Sequence, residues 1–374
     1  MTGPGHHPAA ATRPLSVVLA GGGSAGHISP ALALAARLRA DDPAVRITAL
    51  GTARGLETDL MPKAGIALEL IPSVPLPRRF SLDLARVPGS VVGSVRAAGA
   101  ALRRAHADVL VGFGSYVALP AYVAARRRGT PYVVHESNTP PGLGNRIGAR
   151  FTPYVGVVDT RITLPNATVV GMPLRKEIRE LDRAALRSSA CERFGLDPAL
   201  PTLLVTGGSQ GARRLNDAAL AALPAIADAE VQVLHIAGRG NDVTAADIPR
   251  GGPAYVLLPY VEEMELAYAA TDFAVCRAGM NTVCEMTAVG MPAAYVPLPI
   301  GNGEQRYNAE PVVAAGGGLL VADELVTGEW IIDTVLPLMR ADERLARMSS
   351  AAASLGRRDA DAALAELVYR AAGR

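Results

Sequence analysis

Cysteine is scarce in this sequence. Cys191, Cys276 and Cys284 are the only three in 374 residues, and none stands in a C-x-x-C pair. An odd, scattered set excludes a disulfide framework and a four-thiolate zinc site, and it fits a reducing compartment. Aromatic residues make up only 4% of the chain while alanine abounds, a composition suited to helices packed on a sheet. No stretch reaches the roughly 20 uninterrupted apolar residues of a membrane span. Nor is either charge in excess: the formal net charge is +2, too small to point to nucleic acid. Residues 1–13, with Gly, Pro, His6 and His7, lack an apolar segment and read as a disordered tail, not a signal peptide.

What is present is alternation. The runs "LSVVLA" (15–20), "VRITAL" (45–50), "IALELI" (66–71), "ADVLVGF" (107–113), "PYVVHE" (131–136) and "YVGVV" (154–158) read as strands. Amphipathic or alanine-rich segments near 28–40, 54–64, 82–105, 116–129 and 142–150 read as the helices between them. The pattern breaks around 169–182, where charge rises. It restarts with strands at 202–208, 231–238, 254–260, 272–279, 292–298 and 318–322, and ends in a helical tail over 327–372. This is βαβ alternation, hence a mostly parallel sheet covered on both faces. Apolar residues are 49% of the chain, enough for a large core, and the length suits two domains. The boundaries are expected at 14–171 and 172–357, with a C-terminal helix over 358–374 packing back on the first domain. The fold class is α/β with two Rossmann-like domains, and ligands belong in the cleft at the carboxyl ends of the strands.

Both halves open alike, with "VVLAGGGSAG" and "LLVTGGSQGA": strand, glycine turn, helix. Glycines allow close backbone approach, and a helix start offers free N–H groups to an anion. In the first loop Gly21, Gly23 and Gly26 have the spacing of a dinucleotide fingerprint. The ribose carboxylate that should follow about 20 residues later is missing, since the second strand ends "TALGTARG". His27, just past the loop, is by itself a structural residue more often than a catalytic one. In "CRAGMNTVCE" (276–285), Thr282 and helix-start amides suit a phosphate. Glu285 suits either two vicinal ribose hydroxyls or simply the helix dipole. "IGNGEQRYNAE" (300–310) supplies Glu304, Gln305 and Asn308, whose side chains suit sugar hydroxyls or ordinary capping.

Seven stretches carry a resemblance: "GGGSAGHISPALALA", "GFGSYVALPA", "HESNTPPGLGNR", "GMPLR", "TGGSQGARRLN", "CRAGMNTVCE" and "PLPIGNGEQRYNA". In this order, from about residue 15 to 325, the chain resembles the MurG family of GT-B glycosyltransferases (glycosyltransferase family 28). That family moves GlcNAc from UDP-GlcNAc to undecaprenyl-linked MurNAc-pentapeptide in peptidoglycan synthesis. The resemblance implies an inverting enzyme with no metal and no cofactor. It places the diphosphate on Ser209 and Arg175, and uracil on the backbone of Val261. Ribose and phosphate fall to Met280, Asn281, Thr282, Val283, Cys284 and Glu285, and the GlcNAc hydroxyls to Gln305. Ser24, Ala25, Gly26 and Asn138 would lie against the sugar, the first glycine loop would cradle the acceptor's diphosphate or back the donor sugar, His27 would be the base or an acceptor-site residue, and Tyr116 and Asn145 would serve the acceptor side. Departures from the usual pattern are Ala25 before Gly26, Met172, Met280, Asn281 and Glu304.

A lipid acceptor further implies peripheral attachment to the cytoplasmic face of the membrane and other cell-wall synthesis proteins as partners. The segment 75–105 joins apolar residues such as Phe80 and Leu84 to Arg78, Arg79, Arg86, Arg96, Arg103 and Arg104. This is the composition of an interfacial helix that meets anionic inner-leaflet lipids, although a helix packed on the sheet with solvated arginines reads the same way. The alternative activity is a paralogous transferase that moves another UDP-sugar to a lipid phosphate or natural product. A non-catalytic nucleotide-binding module is the third reading.

Overall fold

A computed structural model describes residues 13–73, 87–208, 210–241, 243, 252–299 and 303–374. Two compact units divide the chain. The first comprises Met1–His135, Leu143–Val155 and Ala365–Arg374, and the second Glu136–Gly142 and Gly156–Leu364.

The first sheet holds β1 (Ser16–Ala20), β2 (Arg46–Gly51), β3 (Ala67–Leu70), β4 (Val109–Gly112), β5 (Tyr132–Glu136), β6 (Val155–Val157) and β7 (Ala167–Val169). Their spatial order is β3-β2-β1-β4-β5-β6-β7, and the ladders joining β1 to β5 are parallel. The second sheet holds β8 (Thr202–Thr206), β9 (Gln232–Ile236), β10 (Tyr255–Leu258), β11 (Phe273–Arg277), β12 (Ala293–Val296) and β13 (Gly318–Leu320). Its order is β10-β9-β8-β11-β12-β13, parallel throughout. Every residue of β1, β4, β5, β8 and β9 is buried. Strands covered on both faces are apolar at most successive positions, which is why they stand out as runs. The doubly wound α/β class is therefore as expected. β7 was not expected; it is a short strand at the end of the strand order, with two of its three residues exposed and little apolar signal. The helix Arg183–Phe194 was also unexpected. Asp182 caps it by accepting from the Ala185 amide, and Gly195 ends it in the left-handed region.

In each unit the chain winds outward from its first strand and then crosses back to that strand's other side. The order reverses between β1 and β4, and again between β8 and β11. In open parallel sheets ligands gather at the carboxyl ends of such a strand pair. The loops there are 21–24 and 113–114 in the first unit, and 207–212 and 278–279 in the second. These are four of the glycine-bearing motifs of the sequence.

Packing in the second unit joins the apolar sheet face to its covering helices. Leu203, Val205, Val233, Phe273 and Val275 of the sheet meet Leu215, Ala218, Ala219 and Ile226 of the covering helices. One polar cluster lies inside. The Asn216 amide donates to Ala237 O at 3.1 Å, so its Oδ1 is the acceptor for His235 Nε2 at 2.9 Å. His235 Nδ1 then accepts from the Tyr255 hydroxyl at 2.7 Å. Burial pushes His235 down to about 4, so it is a neutral tie between β9, β10 and the Asn216 helix, with no charge to offer at neutral pH.

Candidate active site

In the first unit the chain leaves β1 through Gly21, Gly22 and Gly23 and enters the helix Ala25–Asp41 at Ser24, which makes no side-chain cap. His27 lies in the first turn, half-buried, with its amide on Ser24 O at 3.2 Å. Its ring packs on Gly114, after β4. A Cβ built on Gly114 would lie 3.2 Å from His27 Cε1 and 3.4 Å from Nδ1, and Gly114 has φ of 94°. Glycine is thus required there both for the backbone and for the ring. Tyr116, two residues on, is 54% exposed and available to a ligand.

Asn145 is 1% exposed. Its amide donates to His135 O at 3.0 Å and its carbonyl accepts from the Tyr122 hydroxyl at 2.7 Å. Expected as an acceptor-side contact, it has both ends committed inside the protein and braces the wall beside the histidine ring. Glu57 was not expected at all. It is fully buried, and its carboxylate accepts from the amides of Gly23 and Thr52, each at 2.8 Å, and from the Thr52 hydroxyl at 3.1 Å. The Gly23 amide is therefore not free for an anion. Burial alone would push the Glu57 carboxyl up, but the Thr52 and Gly23 amides outweigh it and hold the group below the usual carboxylate range.

In the second unit, the segment after β5 is folded around Glu136. One carboxylate oxygen accepts from the Asn138 amide at 2.8 Å and from its side chain at 3.2 Å, and the other from the Gly142 amide at 2.8 Å. Asn138 is thereby held in a fixed pose by an acid whose only sequence signal is a charge at the end of a buried strand.

The helix Met280–Ala288 begins at Gly279 with no side-chain cap, and a helix start carries positive potential for an anion. Thr282 and Glu285 lie in its first turns. Glu285 accepts from the Tyr268 hydroxyl at 2.7 Å. Burial raises the Glu285 carboxyl, and the Tyr268 hydroxyl and Arg175 only partly draw it back, with Glu265 opposing them. Arg175 donates to Glu262 O at 3.4 Å and stands 3.8 Å from the Glu265 carboxylate. So Arg175, Glu265, Tyr268 and Glu285 form one partly buried charged cluster. Val261 is buried next to Tyr260, whose ring carries the Arg239 guanidinium 3.9 Å away.

The expected run 280–285 splits. Met280, Val283 and Cys284, with Thr287 one turn on, line a cavity of about 520 Å³ together with Met172, Pro311 and Leu355. Asp159, Arg161, Glu310 and Arg357 also line it, so the charge there comes from other segments while the Met280, Val283 and Cys284 side chains themselves offer a diphosphate no charge. The Cys284 thiol is pushed up to about 12 by burial and by Glu285 and Asp159, which disfavours its thiolate. Asn281 is half-buried. Asn308 is buried and donates to Ala278 O at 3.0 Å, a strut between helices, not a sugar ligand. Gln305 gives its carbonyl to the Leu298 amide at 2.9 Å, leaving its NH2 as the group able to donate to a hydroxyl. Ser209 lies outside the described residues. Gly211, in the same loop, has φ of 73°, and a Cβ there would fall 1.9 Å from Ala237 O.

The glycosyltransferase family 28 N-terminal domain matches residues 17–157, and the family 28 C-terminal domain matches residues 202–364. The chain belongs to glycosyltransferase family 28. Within the family its relatives are the MurG transferases. A protein of Acidothermus cellulolyticus is 58% identical over 362 residues, covering 96% of this chain and 98% of its own. One of Streptomyces avermitilis is 56% identical over 357 residues, covering 96% and 98%. Both carry the name UDP-N-acetylglucosamine--N-acetylmuramyl-(pentapeptide) pyrophosphoryl-undecaprenol N-acetylglucosamine transferase. The crystal structure of Acinetobacter baumannii MurG superimposes with a TM-score of 0.75 at 26% identity, covering 96% of this chain and all of the other. The kitacinnamycin glycosyltransferase, at 20% identity and a TM-score of 0.68, shares the fold. The family 28 chain is thus a glycosyltransferase of the two-domain GT-B class.

Proposed function

We propose that this enzyme transfers GlcNAc from UDP-GlcNAc to the 4-hydroxyl of MurNAc in undecaprenyl-pyrophosphoryl-MurNAc-pentapeptide, making the lipid-linked disaccharide of peptidoglycan. The observation that carries this reading is identity above 50% across nearly the whole chain to transferases named for that reaction. The geometry is compatible. The uncapped start of the Met280 helix and Arg175 supply positive potential for the UDP diphosphate, and Ser209, which lies outside the described residues, is assigned to the same group. Thr282 and Glu285 take phosphate and ribose, the Val261 backbone takes uracil, and Gln305 donates to a GlcNAc hydroxyl. Ser24, Ala25, Gly26 and Asn138 are assigned to the sugar and Tyr116 to the acceptor. His27 takes the proton of the attacking hydroxyl as the C–O bond to UDP breaks, with inversion at the anomeric carbon.

The test is product formation. The purified protein with labelled UDP-GlcNAc and a short-chain acceptor should yield the β-1,4 disaccharide, and UDP-GalNAc should be a poor donor. Transfer of a different sugar, or none to this acceptor, overturns the reading. Gln305→Glu should keep the Leu298 bond and lose the donor, narrowing the ratio of kcat/KM between UDP-GlcNAc and UDP-GalNAc. An unchanged ratio would mean that Gln305 only supports its loop.

The lipid acceptor places the enzyme on the cytoplasmic leaflet, and no described helix is long and apolar enough to cross a membrane. Anionic lipids are proposed to meet the segment around 75–105, of which 74–86, with Phe80 and Leu84, lie outside the described residues. The described helix runs from Val87 to Arg104. It buries Val95, Ala98 and Leu102, leaves Val92 exposed, and pairs Arg104 with Glu69 at 2.7 Å. Exchanging Phe80 and Leu84 for Ser and Arg78 and Arg79 for Glu should abolish salt-sensitive sedimentation with anionic vesicles. Wild-type sedimentation of that variant would exclude this segment as the membrane face.

A further inference from the structure

We propose that Glu57 is a positioning residue for the transfer. It locks the 21–27 loop in the shape that presents His27, and it makes that loop a poor site for anions. The inference rests on the reading of His27 as the base.

Three observations meet at this side chain. Glu57 is fully buried, and no described cation pairs with it. Its two oxygens join separate pieces of chain: one accepts from Thr52, just after β2, and the other from Gly23, whose φ is 84°. Its space exists only because three neighbours lack side chains. A Cβ on Gly22, Gly51 or Gly55 would fall 2.5, 2.4 or 1.8 Å from a Glu57 atom. A carboxylate bound this way is a clamp. It fixes the backbone four residues before His27, and the histidine ring is in turn held against Gly114.

The same geometry gives a second consequence. In a dinucleotide-binding fold the glycine loop offers its amides to a pyrophosphate, and an acid beyond the second strand reaches the ribose. Here the acid turns inward, consumes the Gly23 amide and puts a negative charge beneath the loop, with no cation paired to it among the described residues. Buried charges act over several ångströms because the surroundings screen them weakly. The loop therefore repels phosphate groups and favours a neutral partner, such as a sugar hydroxyl next to the proton acceptor.

Two substitutions separate position from charge. Glu57→Gln keeps the size and loses the charge, and it leaves either Gly23 or Thr52 facing an NH2 group. Glu57→Asp keeps the charge and is one methylene too short to reach both. Each is to be purified and checked for a cooperative melting transition. Both should lower kcat by about tenfold or more with the donor KM within about threefold, as expected when a catalytic group is misplaced. In the His27→Ala background, Glu57→Gln should add little, because the two act on one step.

The second readout needs no turnover. Inorganic phosphate is titrated while the amide resonances of Ser24, Ala25 and Gly26 are followed. They should stay still in wild type and in Glu57→Asp, and move saturably in Glu57→Gln. Amides that move equally in wild type and Glu57→Gln, or in neither, overturn the closure to anions. A kcat unchanged in both variants overturns the clamp. If His27→Ala alone leaves turnover intact, the base assignment fails, while the phosphate titration still decides the loop.

Discussion

His27→Ala is expected to lower turnover by about two orders of magnitude or more, with UDP-GlcNAc binding by calorimetry near the wild-type value. The first half follows from position. His27 stands in the first turn after the glycine loop, half-buried, its ring packed on a glycine that tolerates nothing larger. A side chain held so closely is preorganised for proton transfer. The second half follows from where the residues proposed for the nucleotide lie. Arg175, Tyr268, Thr282 and Glu285 all belong to the second unit. Truncating a residue of the first unit should leave their geometry alone. Gly114→Ala gives a check without touching the imidazole: the new methyl group needs an unfavourable backbone and must displace the ring, so turnover should fall with it. Near-normal turnover in His27→Ala would make the histidine structural and put the base elsewhere.

Glu285→Ala is expected to raise the Michaelis constant for UDP-GlcNAc about ten- to hundredfold, the loss of a charged hydrogen bond of about 1.5–3 kcal/mol, with a smaller effect on kcat at saturation. The carboxylate sits where burial has raised its pKa above the usual 4.5, and it has the Tyr268 hydroxyl on one oxygen. The sign of the pH effect follows. A carboxyl raised in the folded state favours the fold while it is protonated. That contribution is complete below 4.5 and is lost as pH rises through the folded value, so at neutral pH the ionised group is a cost. Glu285→Gln, which can still accept from Tyr268, should therefore melt higher than wild type at neutral pH, and the difference should vanish in acid. The same variant should bind donor poorly, since an amide accepts from two ribose hydroxyls less well than a carboxylate. A rise in melting temperature together with a loss of donor affinity is the signature of a site that gives up stability for function. An unchanged donor constant in both variants would remove Glu285 from the ribose.

The sequence by itself determined the architecture. Strands buried on both faces are apolar at most successive positions, so β1, β4, β5, β8 and β9 appear as runs rich in Val, Leu and Ile, with the few polar residues such as His235 tied inside. Glycine turns mark their carboxyl ends because only glycine allows such close passage, as at Gly114 and Gly211. The glycine loops at the strand ends were legible for the same reason. The partners of each polar group were not. Asn145 and Asn308 have the residue type of a sugar ligand, yet the fold uses both as internal struts. Met280, Val283 and Cys284 follow Gly279 as closely as Thr282 and Glu285 do, but three-dimensional packing turns them onto a cavity. Glu57 and Glu136 carry no motif that distinguishes them from surface acids. What makes them matter is which backbone amides come within 2.8 Å. Periodicity reports which face of a strand or helix is buried, because burial acts along the chain. Hydrogen-bond partnership joins residues as far apart as Gly23 and Glu57, and only the folded backbone decides that pairing.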